Sequence, residues 1–159
     1  MHRTPLHGRL GRALAAFACS LALVGVAGCD SDHDHDGHMH SDGTLMTMKN
    51  GTSANGLYTI SWTTEPATVV VGEVFVVRTS LSDATGSAVT GATLAVDGYM
   101  PAHGHGMEGV VPLTAEVTTT AGTYETQGMR FQMPGQWELR FTIEGAPGKD
   151  TATLAFGVQ

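Results

Sequence analysis

The chain has 159 residues, with eight lysines and arginines against fifteen aspartates and glutamates, for a net charge of −7 with its eight histidines neutral. An acidic surface of this kind repels phosphate backbones and excludes a nucleic-acid partner; its complement is a cation.

The N-terminus sets the compartment. Arg3, Arg9 and Arg12 make a positive leader. The run from Ala13 to Gly28 is apolar and uncharged. It is shorter than the ~20 apolar residues a membrane span needs, and it fits the hydrophobic region of a secretory signal. It ends in "VAGC", Val26 to Cys29. Small residues directly before a cysteine resemble the bacterial lipobox, where the cut falls before the cysteine and its thiol carries lipid. Residues 1–28 are therefore expected to be a lipoprotein signal peptide, with Cys29 as the lipidation site. The plain alternative is an ordinary signal peptide followed by a chance cysteine. The lipoprotein reading puts the protein in the cell envelope, held to the membrane by its lipid and facing the periplasm or the exterior. Asp30 after the cysteine resembles an enterobacterial inner-membrane retention signal, a rule that does not transfer to all bacteria, so the leaflet stays open.

Cleavage has two chemical consequences. Cys19 leaves with the signal and Cys29 is lipidated, so no thiol remains for a disulfide, a thiolate metal site or a nucleophile. Three of the eight basic residues leave as well, and five against fifteen acidic residues give the mature chain a net charge of −10.

Residues 29–52 hold Asp, His, Ser, Gly and Met with almost nothing to bury, so they cannot offset their ordering entropy and are expected to form a flexible tether. Within it, "DHDHDGHMH" gathers His33, His35, His38 and His40 around Met39, interleaved with Asp32, Asp34 and Asp36. Histidine-rich tracts bind divalent metals with modest selectivity. The tether is either a loose secondary metal arm or a solvated acidic spacer.

Residues 53–159 read as one domain. "LYTISWTT" puts Tyr58, Ile60 and Trp62 on one face; "EVFVVRTSLS" does the same with Phe75, Val77, Thr79 and Leu81. "GATLAVDG" carries Ala92, Leu94 and Val96, and "LTAEVTTT" carries Ala115 and Val117 with Glu116 opposite. "QWELRFTIE" alternates Trp137, Leu139, Phe141 and Ile143 with polar residues, and "TATLAFGV" closes with Ala152, Leu154, Phe156 and Val158. Such alternation marks half-buried strands. Turn residues separate the runs at 83–87, 121–123, 133–135 and 144–150. The expected fold is all-β, an immunoglobulin-like antiparallel β-sandwich of about seven strands, with Trp62 and Trp137 as core anchors.

One loop concentrates metal ligands. "YMPAHGHGM", Tyr99 to Met107, places His103, His105 and Met107 at alternate positions, so an extended chain turns two imidazoles and a thioether to one side. Gly104 and Gly106 allow bends with positive φ, and Pro101 after Met100 stiffens the approach. Imidazole suits copper, zinc and nickel, whereas thioether selects copper(I). A histidine–methionine set without thiolate therefore points to copper before zinc. Further along, Met129, Phe131 and Met133 share a face and read as core, although Met133 sits beside the Pro134–Gly135 turn, where its thioether can emerge toward the histidines.

The strand "GATLAVDG", the loop "MPAHGHGM" and the stretch "AGTYETQGMRFQMPGQWELRF" from Ala121 to Phe141 together resemble the YtkA-like family of secreted bacterial domains, itself related in pattern to FixH-like proteins. The resemblance implies an immunoglobulin-like sandwich outside the cytoplasm, and it suggests links to copper handling and to oxidase assembly. It maps the family's loop onto Met100, Pro101, His103, Gly104, His105 and Gly106. FixH-like proteins usually carry a transmembrane helix, where this chain has a lipid-anchor signal.

The functional expectation is a monomeric, lipid-anchored copper-binding protein, a chaperone, buffer or resistance factor. His103, His105, Met107 and either Met100 or Met133 would hold copper(I) for exchange with a copper-receiving envelope protein. The alternative is a structural or protein-interaction module supporting a membrane complex, with the histidines hydrogen-bonding neighbouring strands. No nucleophile elbow, HExxH or phosphate-cradling loop appears, and a hydrolytic zinc site wants three firm ligands where the domain offers two histidines, so no enzyme is expected.

Overall fold

The computed structural model describes residues 45–108 and 112–159. The expected signal peptide, the lipidation site at Cys29 and the tether histidines His33, His35, His38 and His40 lie outside the described residues.

Alternation becomes burial almost residue for residue. In β2 (Tyr58–Glu65) every second residue is buried, from Tyr58 through Ile60 and Trp62 to Thr64. In β9 (Gly135–Gly145) Trp137, Leu139, Phe141 and Ile143 are buried. In β10 (Gly148–Val158) Asp150, Ala152, Leu154, Phe156 and Val158 point inward. Period-two side chains bury one face only when a second sheet covers it, and two sheets do so here.

The first sheet has the order β1-β2-β3-β8-β7, where β1 is Asn50–Thr52, β3 Phe75–Asp83, β7 Glu116–Val117 and β8 Thr123–Met129. The second has the order β10-β9-β4-β5, where β4 is Thr93–Met100 and β5 His105–Gly106, and β6 (Leu113–Thr114) pairs with β4 beside β5. Every pairing is antiparallel. The expected all-β sandwich stands. Among the described residues there are ten strands rather than about seven, because three are two-residue pieces and one lies further toward the N-terminus than expected.

Three local differences have physical causes. Ala115 and Val117 were expected on one buried face of a single strand. The chain instead pairs Leu113–Thr114 with β4 and Glu116–Val117 with β8, crossing from one sheet to the other at Ala115. Val117 consequently stands 64 % exposed on an edge. Secondly, β8 carries a buried threonine, Thr126, and a register shift opposite Phe75 and Val77, which breaks its apolar pattern. Thirdly, residues 45–52 were expected in the tether. Asn50–Thr52 pair with β2, and Met48 N–H donates to the Ala155 carbonyl of β10.

The core fills the space between the sheets. Trp62 and Trp137 are both buried, as expected of core anchors. Phe131 is the hub at one end, its ring 4.4 Å from Trp137, 5.2 Å from Phe75 and 5.4 Å from Phe156. At that end β4 runs out into β5, β8 turns into β9, and the loop before β3 is tied in by Gly72 N–H donating to the Phe131 carbonyl. The histidine loop sits there. No helix among the described residues is long and apolar enough to cross a membrane.

Candidate metal centre

The histidine loop is a hairpin rather than an extended strand. Met100 and His105 are cross-strand partners, as are Tyr99 and Gly106, and residues 101–104 form the turn between them. The turn closes through the Met100 carbonyl, which accepts from the N–H groups of His103 at 3.2 Å and Gly104 at 2.9 Å. Gly104 adopts φ 68°, the left-handed conformation that residues with a side chain rarely take. The expectation that simple alternation aligns His103, His105 and Met107 is therefore replaced. His103 lies in the turn and is exposed, while His105 and Met107 follow on the return strand.

The two imidazoles meet nonetheless, with ring centroids 5.8 Å apart at an interplanar angle of 67°. A metal–nitrogen bond of about 2.0 Å plus the ring radius puts two imidazoles on one ion roughly 5–6 Å apart, centroid to centroid, so the observed spacing fits a shared ion. His105 is fixed on two sides. Its ring stands edge-on to Trp137 at 5.9 Å, and its Nδ1 lies 2.9 Å from the Gly106 carbonyl. A carbonyl can only accept, so in the neutral ring this contact makes Nδ1 the donor and leaves Nε2 the lone pair that a metal needs. The Gly106 carbonyl also accepts from Gln132 Nε2 at 3.1 Å, which pins β5 to the turn before β9.

The methionines divide by accessibility. Met107 is 6 % exposed and folds its thioether over Gly98: a β-carbon at Gly98 would lie 3.0 Å from Met107 Cγ and 3.2 Å from its sulfur. Met100 is 1 % exposed, with its Cε against Gly135. As the cross-strand partner of His105 it stands beside that histidine on the same face, Cβ to Cβ about 5 Å. Met133 is half-buried at the turn before β9, where its carbonyl accepts from Trp137 Nε1 at 3.1 Å. His105, Met107 and Met133 line one open cleft of about 440 Å³ together with Gly106, Glu108 and Gln132. Met129, expected as core, is fully buried beside Phe75 on the neighbouring strand.

Glu108 follows the loop directly in sequence, whereas Gln132 carries no sequence signal as a wall of this cleft, since it joins the loop only through the pairing of distant strands. Among the described residues no three His, Cys, Asp or Glu side chains converge. The donors that the hairpin and its cleft offer are two imidazoles with thioethers alongside, a set whose chemistry suits a soft monovalent ion rather than hydrolytic zinc.

Searches of curated proteins and of solved structures return no significant match. The family model described as YtkA-like matches residues 52–142, which run from the end of β1 into β9 and contain the whole histidine hairpin and its cleft, and the chain belongs to the YtkA-like family.

Proposed function

We propose that this YtkA-like β-sandwich is a non-enzymatic copper-binding protein that works outside the cytoplasm, held to the membrane by lipid at Cys29, and that it passes copper(I) to a protein of the cell envelope. The observation that carries this reading is the pair of imidazoles 5.8 Å apart on an exposed hairpin, with Nε2 of His105 free to ligate. His103 and His105 capture the ion. Met133 and Met107, which share the cleft with His105, supply thioether sulfur, and Met100 stands beside His105 as a further sulfur under the hairpin. Open, soft coordination at a surface suits transfer by ligand exchange, because an incoming partner can add a donor before the outgoing ones leave. The mature acidic surface favours retention of a cation.

The test is competition for copper(I) between a chromophoric chelator and the domain from Leu45 onward, beside a His103→Ala/His105→Ala variant. The wild-type domain is expected to hold one more equivalent than the variant, at an affinity that competes with the chelator. Emission from Trp137, edge-on to His105, is expected to be quenched only in the wild type. Equal uptake by two folded proteins removes the hairpin as the site. Unfolding of the variant favours the alternative reading of the loop as a structural or partner-contact element.

A further inference from the structure

Five large apolar side chains are exposed among the described residues, and two of them carry a soft donor atom: Met46 at 61 % and Met48 at 42 %. Methionine is among the residues most often buried, so two exposed thioethers one residue apart call for a physical account.

The backbone that carries them is held in place. Met46 N–H donates to Gln136 Oε1 at 2.7 Å, and its carbonyl accepts from Gln136 Nε2 at 2.8 Å. Met48 N–H donates to the Ala155 carbonyl at 2.8 Å, and its own carbonyl accepts from the Trp62 indole at 2.8 Å. The side chains alternate. Leu45 lies against Gly157, where a β-carbon would come within 2.6 Å of Leu45 Cβ. Thr47 Oγ1 accepts from Gly157 N–H at 3.0 Å. Lys49 folds its ammonium over the Trp62 ring, 3.9 Å from the centroid. The side chains of Leu45, Thr47 and Lys49 thus each contact the sandwich, whereas Met46 and Met48, two residues apart, are tied in through their backbone and leave their side chains exposed.

The chemistry of that pair is specific. Alternate residues of an extended chain stand about 6.6 Å apart, and the three rotatable bonds of methionine let the two sulfurs close to any smaller separation. Two sulfurs on one ion are separated by roughly 4–5 Å, twice a typical metal–sulfur bond. Neutral thioethers do not compete for hard or borderline divalent ions, whereas they select copper(I). The ammonium of the adjacent Lys49 is engaged over the Trp62 ring. The segment runs along β10, at the edge of the second sheet away from β5. It belongs to neither the histidine hairpin nor its cleft.

We propose that Met46 and Met48 form a second soft-metal site, a surface bis-thioether clamp for a monovalent ion of the copper(I) class. It does not depend on the hairpin reading.

The test uses silver(I), a redox-inert monovalent ion of the same class, added to the full chain in chloride-free buffer. Methionine methyl groups labelled with carbon-13 report each thioether separately, and a Met46→Leu/Met48→Leu variant, apolar and close in volume, assigns the pair. The Met46 and Met48 signals are expected to move together, to saturate at one silver-to-protein ratio, and to do the same in His103→Ala/His105→Ala. Zinc is expected to leave both unmoved. The leucine variant is expected to bind one fewer silver ion with an unchanged thermal midpoint. Signals that stay still at stoichiometric silver overturn the proposal, as do signals that move with separate midpoints or only when both histidines are present. If the double-histidine variant leaves the rest of the silver isotherm unchanged while the Met46 and Met48 signals still move, the hairpin reading fails and this one stands.

Discussion

Gly98 shows what the candidate site asks of single residues. It faces inward on β4, with Met107 folded across it and Phe131 pressed close. A β-carbon there would lie 2.7 Å from Phe131 Cε1 and 3.0 Å from Met107 Cγ. Met107 is flexible and can give way. Phe131 is wedged against Phe75, Trp137 and Phe156 and cannot. Gly98→Ala is therefore expected to lower unfolding free energy by about 1–3 kcal/mol, the range for overpacking a filled core, read as a lower urea midpoint at unchanged m-value. A variant as stable as the wild type would mean that Phe131 has room to move. The same residue explains why Met107 was legible as a sulfur beside two histidines but not as a buried one. Its burial depends on Gly98 lying opposite it, Met107 N–H donating to the Gly98 carbonyl at 3.1 Å, and a linear spacing rule contains no cross-strand register.

Among the elements, strands with a sustained, mostly apolar alternation were legible and the others were not. β2, β3, β4, β9 and β10 each show the period that a half-buried strand must have. β1 consists of Asn, Gly and Thr, which pack by backbone pairing and leave no apolar signal. The loop joining β1 to β2 is instead organised by Asp150, buried near the start of β10. Its carboxylate accepts from Asn55 N–H at 3.0 Å, Asn55 Nδ2 at 2.9 Å, Leu57 N–H at 3.4 Å and Thr151 N–H at 2.8 Å. Burial alone would raise its pKa, but hydrogen bonds from Ser53, Thr151, Asn55 and Leu57 outweigh burial and hold it below the usual carboxylate range. A carboxyl depressed in the folded state contributes stability above its unfolded pKa and loses it as pH falls through the folded value. Asp150→Asn keeps one acceptor oxygen and loses the charge. It is expected to melt below the wild type at pH 7, with the gap closing on acidification through and below the usual carboxylate range. Parallel melting curves of constant separation across that range would show that the charge contributes nothing.

At the scale of the molecule, the sandwich architecture and the family were readable because they repeat a simple period and a local motif. What the sequence could not display is the meeting of distant segments. The β4–β5 hairpin, the turn before β9 and the loop before β3 converge at one end only because two sheets stack, and the N-terminal segment closes the side of the stack along β10. That last arrangement is testable. Residues 45–52 carry β1, the Met48 carbonyl that satisfies the buried Trp62 indole, the Lys49 ammonium over Trp62 and the Leu45 side chain against Gly157. A chain starting at Ser53 strips all of them and leaves an indole N–H that must find water at a newly opened edge. Loss of that hydrogen bond and of the cation–π contact alone amounts to roughly 2–4 kcal/mol. A chain starting at Leu45 keeps every one of these contacts. Chemical denaturation of the two is therefore expected to give a clearly lower midpoint for the shorter chain, with Trp62 emission shifted to longer wavelength before unfolding begins. Identical midpoints would mean that the sheet edge at β10 is stable without its cover and that the domain begins at Ser53.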